Sequence, residues 1–121
     1  MPLPRGEFAT IDLRKITEYL FNRSNPDGWT KGQFFLRFGF DEQHPVELAQ
    51  ALLEHGRGQR ITRVSATPFG QKWEVTGPLI SPDRRNPVIR SVWHQNRDDS
   101  APHFVSVSLR MRRENDEAPT V

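Results

Sequence analysis

Four histidines, at positions 44, 55, 94 and 103, are the side chains of this sequence best suited to moving protons near neutral pH. His44 precedes a proline at a helix start, and His55 falls in a last helical turn, where the dipole favours a cation. Capping or surface roles are expected for both. His94 and His103 flank a hairpin turn and approach each other near a sheet edge if their strands pair. Two solvated hairpin histidines is the plain alternative. Around them, Lys72, Arg90, Ser106 and Arg110 fall on strands, with Lys31 in reach from the helical half. These types suffice to cleave a phosphodiester without metal: a base for the RNA 2′-hydroxyl, an acid for the leaving oxygen, and cations near the developing charge. There is no HxH, HExxH or carboxylate cluster at metal-ligand spacing, and no phosphate loop or dinucleotide fingerprint. No metal and no cofactor is expected. The Asp98-Asp99 pair reads as a solvated turn.

The elements that must position these groups fall into two halves. A first helix is expected from an Asp12 cap through residue 22, with Leu13, Ile16 and Leu20 on its buried stripe. Pro26 within a run of turn formers predicts a loop, after which Thr30 caps a short helix carrying Phe34, Phe35 and Phe38 into the core and ending at Gly39. His44 and Pro45 open a third helix with Val46, Ala49, Leu52 and Leu53 on its buried face, and Gly56 fits the position just past its end. From there the apolar period changes to alternation, predicting strands near 60–67, 71–80, 87–95 and 103–110 joined by short links, hence antiparallel. Alternation puts Ile89, Ser91 and Trp93 on one face and Val88, Arg90, Val92 and His94 on the other. On the fourth strand Val105, Val107 and Leu109 are expected against the helices, with Phe104, Ser106 and Ser108 outward. Trp93, Trp29 and Trp73 read as packing residues. The fold class is therefore α+β, three short N-terminal helices packed on a four-stranded antiparallel sheet. One domain over 1–111 is followed by a charged tail, 112–121, expected to be disordered or to dock only on a partner.

Charge is unevenly spread. Residues 1–54 hold six Lys/Arg against eight Asp/Glu, residues 55–113 eleven against four, and residues 114–121 none against three. Eleven cations in the sheet half can attract a polyanion through counterion release, which makes nucleic acid the leading partner class; an Arg-rich surface serving solubility is the plain alternative. Lys31, Arg63, Arg84, Arg85 and Arg110 are the cations expected to contact it. The chain contains no cysteine, which removes disulfides and thiolate chemistry. No apolar run reaches the roughly 20 residues a membrane span requires, and MPLPRGEF lacks the basic-then-apolar order of a secretory signal, so no membrane association and a cytoplasmic protein are expected.

At ITEYLFNRSNPDGWTKGQFFLRFGF, ELAQALLEH, TPFGQKWEVTGPLISPD, VIRSVW and APHFVSV, covering residues 10–108, the chain resembles an uncharacterised bacterial domain family. That family is found at the C-termini of polymorphic toxins and as short proteins encoded beside a small partner, as in toxin–antitoxin pairs. Its helices-then-sheet order looks like the fold shared by barnase-type, EndoU-type and RelE-type ribonucleases, so the resemblance implies metal-independent RNA cleavage and a small antitoxin or immunity protein as partner. Matching positions are Lys31, Gly70, Lys72, Arg90, Trp93 and Phe104. Ser106 stands where a threonine is usual. The chain departs from the pattern at His94, where an aliphatic residue is common, and beyond Ser106. The expected function is a toxin-type endoribonuclease in which Arg90 and Lys72 hold phosphate, His94 or His103 moves protons, and Ser106 positions a reacting oxygen. The rival readings are a non-catalytic nucleic-acid-binding module and a protein-interaction module, such as an immunity factor or phage inhibitor, using the same sheet.

Overall fold

A computed structural model describes residues 3–98 and 100–109. Asp99, Arg110 and the tail expected over 112–121 lie outside the described residues. A 3-10 turn, Gly6–Phe8, precedes a π-helical segment, Lys15–Leu20. Helices α1 (Pro26–Leu36) and α2 (Pro45–Gly58) follow, then strands β1 (Arg60–Thr67), β2 (Gly70–Pro78), β3 (Val88–Asn96) and β4 (His103–Ser108). The strands form one antiparallel sheet in the order β1-β2-β3-β4. The α+β class, the four strands and the opening of α2 at His44–Pro45 agree with the sequence pattern; the type of the first helical segment, the start of α1 and the end of α2 depart from it.

The first helix is π-helical rather than α-helical. Asp12 does accept a hydrogen bond from the Arg14 backbone at 3.0 Å, but the segment closes with Phe21 N–H donating to the Ile16 carbonyl, an i→i+5 bond of 2.7 Å. The wider turn breaks the expected stripe: Ile16 and Leu20 are buried, while Leu13 is 41 % exposed. Helix α1 starts four residues before Thr30. Pro26 occupies its first turn, where a missing N–H costs nothing, and the Asn25 side chain caps it by accepting from Gly28 N–H at 3.3 Å. The proline read as a loop signal is thus the helix start. Thr30 lies inside, its hydroxyl bonded back to the Pro26 carbonyl at 2.9 Å. Gly39, at φ 99°, follows the helix in the left-handed region as expected.

Small residues set how closely the layers approach. A Cβ on Gly32 would lie 1.8 Å from the Leu20 carbonyl oxygen, and one on Gly28 2.1 Å from that of Tyr19, so α1 rests backbone-to-backbone on the π segment. Gly56 does not end α2, which continues to Gly58; it lies where the helix meets Trp93, and a Cβ there would be 2.3 Å from the indole Cζ2. The buried face of α2 is Leu48, Ala49, Leu52, His55 and Gly56, whereas Val46 is 50 % exposed.

His55 is the clearest correction to the surface role expected of it. It is buried, with Nε2–H donating to the Gly77 carbonyl at 3.0 Å and Nδ1 accepting from the Ser91 hydroxyl at 2.8 Å. Ser91 Oγ in turn accepts from Trp93 Nε1–H at 2.8 Å. The acceptor on one side and the hydroxyl on the other fix the neutral tautomer, and burial pushes the imidazole pKa below its usual value against the opposing pull of the Gly77 carbonyl. On β4, a bulge at the Val92/Trp93 register shift interrupts the alternation. Phe104 therefore faces the core, edge-to-face with Trp93 at 5.5 Å between centroids. Val107 also faces inward and is buried, while Ser106 and Ser108 pair with Val92 and Arg90 on the outward face.

Two outcomes test this packing. Because the folded His55 titrates below the unfolded value near 6.5, its contribution is complete above that pH and is lost as pH falls through the interval below it. Urea unfolding of the native chain should therefore weaken with acidification below about pH 6.5. Ser91→Ala, which strands the His55 and Trp93 nitrogens, should cost about 1–3 kcal/mol at pH 7.5. Separately, Gly32→Ala should destabilise by about 1–3 kcal/mol or more through overpacking. Gly58→Ala, with nothing within 4 Å of its Cβ, should be neutral or stabilising; equal denaturation midpoints for the two variants would refute the close-approach account.

Candidate functional site

The helices cover one face of the sheet, and register defines what the other presents. Three rungs cross it. Ser65, Lys72, His94 and His103 are successive partners in the first; Arg63, Glu74, Val92 and Ser106 in the second; Arg60, Thr76, Arg90 and Ser108 in the third. Direct partners share a face and stand about 4.5–5.5 Å apart at Cβ, and diagonal neighbours about 7–8 Å. The expected catalytic set Arg90, Lys72, His94, His103 and Ser106 is thus gathered within two strand spacings, and Arg63 joins it. Four cations, Arg60, Arg63, Lys72 and Arg90, share this face with one carboxylate.

That carboxylate, Glu74, lies at the middle of the arrangement, its side chain 12 % exposed. One oxygen is 3.6 Å from Arg90 Nη1 and the other 3.9 Å from Lys72 Nζ, so a single acid holds both cations toward the centre of the face. Being buried between them, it also prevents the direct repulsion two neighbouring cations would otherwise suffer. The sequence reasoning passed over Glu74, although alternation on β2 puts it two residues from Lys72 and on the same side.

The histidine pair is asymmetric. His94 Nε2 is 2.8 Å from the Thr67 hydroxyl, which also accepts from Phe69 N–H at 3.2 Å. The His103 ring centroid is 5.6 Å from that of His94. Partial burial pushes the His103 pKa down, and the like charge of His94 and then of Lys15 push it further. The lowered pKa favours the neutral form of His103, which can accept a proton. Thr67, too, was missed, because only the β1–β2 hairpin brings it to His94.

The remaining predicted contacts are dispersed. Lys31 is on α1, beside the β4 end of the second and third rungs: its Nζ donates to the Tyr19 hydroxyl at 3.2 Å, and that hydroxyl also bonds Asp27. Together with Thr30, Ser106 and Ser108 it lines a cavity of about 500 Å³ at the outer edge of β4. Arg84 is exposed in the β2–β3 loop at φ 67°. Its neighbour Arg85 is turned back onto the protein, 2.6 Å from Asp83, bonded to the Arg37 carbonyl and stacked 4.5 Å over the Phe38 ring. Arg57, counted among the basic half, instead clamps the N-terminal segment through the Gly6 and Ala9 carbonyls. So the excess charge is not one patch: part of it is structural, and the open face carries a smaller, organised share. Among the described residues, no three His, Asp or Glu side chains gather closely enough to hold a metal ion.

This fold is similar to that of a chain in a structure described as a contact-dependent growth inhibition toxin–immunity protein complex from Klebsiella pneumoniae 342. The TM-score is 0.62 at 15 % sequence identity, covering 85 % of this chain and 94 % of that one. At that identity the likeness concerns the fold. No curated protein matches the chain. A family model does: that of a domain of unknown function, DUF6883, matches residues 2–110, nearly the whole sequence, and the chain belongs to that family.

Proposed function

We propose that the open face of the sheet binds single-stranded RNA and cleaves it without a metal ion, as the active domain of a bacterial toxin whose small immunity or antitoxin protein covers the same face. The observation that carries this reading is the register that gathers two cations, their shared carboxylate and an asymmetric histidine pair on one solvent-facing surface. The fold likeness to a chain from a toxin–immunity complex supports the biological setting.

The groups divide the work as follows. Arg90 and Lys72 hold the scissile phosphate and stabilise its added negative charge, and Glu74 is a positioning residue that keeps both cations raised toward it. Neutral His103 takes the proton from the 2′-hydroxyl, the freed oxygen attacks phosphorus, and the 5′-oxygen departs with the proton given by His94. The products are a 2′,3′-cyclic phosphate and a 5′-hydroxyl, with His103 now protonated and His94 neutral. Thr67 orients His94, and Ser106, beside Val92 between Arg90 and His94, holds a phosphate or ribose oxygen. Arg60 and Arg63 extend the track for the flanking backbone.

A second reading has its own support, since the similar structure holds an immunity protein as well as a toxin. On that reading the face is a non-catalytic docking surface, and turnover separates the two.

Tightly controlled expression in bacteria should arrest growth and produce discrete RNA fragments. Arg90→Ala, His94→Ala and His103→Ala should each slow cleavage by about 10²–10⁴-fold in purified protein. Intact RNA with normal growth would overturn the nuclease reading and leave the docking surface. The proton assignment has an independent check, in which the imidazole proton shifts of His103 are followed against pH. Its midpoint should lie below 6.5 and move upward in His94→Gln, where the like charge is gone; an unmoved midpoint would remove the basis for assigning the base to His103.

A further inference from the structure

The two edges of the sheet are finished differently. β1, at one edge, carries exposed Arg60 and Arg63 and breaks its register with β2 between Ile61 and Arg63. Charge and a bulge are devices that keep a free edge from pairing. β4, at the other edge, has neither over residues 106–108, where the side chains are uncharged, none is proline and the register with β3 is regular. Its start is covered by a parallel bridge: Thr10 N–H donates to the Pro102 carbonyl at 3.0 Å, and Phe104 N–H donates to the Thr10 carbonyl at 2.9 Å. No described segment pairs with the edge beyond Phe104.

Two cavities follow that open stretch, of about 440 and 500 Å³, and both reach Ser106. The first also touches Val105, the second Val107, Ser108 and Leu109. Successive residues of a strand point to opposite faces, so a hollow that touches four in a row runs along the backbone and not under one face. The facing wall is the helical layer, with Lys15 and Tyr19 at the first cavity and Asp27 and Lys31 at the second. Lys31 is held there by a neutral group. Its Nζ donates to the Tyr19 hydroxyl at 3.2 Å, and that hydroxyl donates in turn to Asp27. Among the described residues no carboxylate stands within ion-pair distance of Lys31, in contrast to Lys72 and Arg90, which share Glu74. The second cavity thus presents a positioned ammonium that reaches a carboxylate only through a phenol.

We infer that the outer edge of β4 is a docking edge for a partner protein, which adds an extended segment to the sheet beside residues 105–109 and sets a carboxylate side chain on Lys31. Strand addition takes its affinity from main-chain hydrogen bonds and its selectivity from hollows that receive alternate side chains, and the two cavities are such hollows, one after the other along the edge. Thr10 already pairs with the start of β4, and the added strand continues where Thr10 leaves off. The charge around the edge favours a polypeptide over a nucleic acid. Asp12 and Glu18 at the first cavity and Asp27 at the second match the cations Arg14, Lys15 and Lys31 in number, a balance that gives a phosphate chain no net attraction but leaves Lys31 for a single acid. The inference goes beyond the nuclease reading and does not depend on it, since the edge is open whatever the sheet face does.

The test selects displayed random octapeptides on the full chain and follows the soluble form of the enriched peptide by amide hydrogen exchange. The bound peptide should slow exchange at β4 amides over residues 105–109 about tenfold or more and leave β1 amides unchanged. N-methylation of alternate peptide residues should weaken binding more than about tenfold in one phase of the alternation and little in the other, because only every second residue turns its N–H toward the edge. Lys31→Gln, which removes the charge and keeps a donor, should weaken binding about two- to fivefold without moving the thermal midpoint, and should have no effect on a peptide whose acid is changed to the amide. Failure to enrich any peptide, protection at β1 in place of β4, or indifference to N-methylation in both phases would overturn the docking edge. So would slow exchange at these β4 amides in the chain alone, or protection conferred by a single-stranded DNA oligonucleotide and by no peptide. Peptide docking by a chain that leaves RNA intact would keep the edge and overturn the nuclease reading instead, so the two failures are distinct.

Discussion

The indole of Trp93 is fully enclosed, and what encloses it determines the rest of the molecule. One side meets the backbone of α2 at Gly56, an edge meets Phe104 of β4, and its N–H is taken by Ser91, which hands a hydrogen bond on to His55 of α2. Burying a side chain of this size is worth about 4–6 kcal/mol by transfer, as an upper estimate, against about 1 kcal/mol for each hydrogen bond. The packing therefore drives the association and the hydrogen bonds select its geometry, because a rotated indole would leave its own N–H buried and unpaired, and a strand shifted by one residue would also take Ser91 from His55. Register follows. With Trp93, Ser91 and Ile89 committed to the helices, Arg90, Val92 and His94 have only the open face left to occupy.

The same commitment propagates across the sheet. β3 is a central strand, paired on both sides, so its fixed register sets which residues of β2 and β4 lie beside Arg90 and His94. The β4 bulge is a consequence. It lets Phe104 turn inward to reach Trp93 and still returns Val107 to the core two rungs on, so that Ser106 and Ser108 complete the outward rows. At the far edge, Thr10 pairs with the start of β4 through the Pro102 carbonyl and Phe104 N–H, and covers the strand where His103 stands. Partial burial of that imidazole, the first cause of its lowered pKa, accompanies this edge cover.

How legible this was depended on the period being read. The strands carried a two-residue alternation with β-branched residues, and their positions, pairing and the two faces of β3 could be taken from it. The helical half was harder because its local signals were ambiguous between stop and start. Pro26 and Pro45 have the same chemistry, yet only the second sits directly before an uninterrupted helical stripe. Gly56 carries the residue type of a terminator and serves instead as the contact with an indole 37 positions away. A π turn has no distinct residue signature, so Leu13 could not be told from a core position. Of the candidate site, Arg90, Lys72, His94, His103 and Ser106 could be named from residue type plus alternation, whereas Glu74 and Thr67 meet their partners on other strands and become visible only with the register.

Glu74 also shows why a basic surface of this kind need not be a uniform one. Four cations on one sheet face repel, and a face held open only by repulsion would splay its side chains into solvent. A lone carboxylate set between Arg90 and Lys72 removes most of that cost and gives each cation a direction. It leaves a net positive surface, which a polyanion still prefers. The histidine pair is unequal too: with the rings 5.6 Å apart, desolvation and then the like charge of His94 lower the pKa of His103. In both cases two like groups are made unequal by their surroundings. The proposed division of acid, base and phosphate-holding roles rests on that inequality.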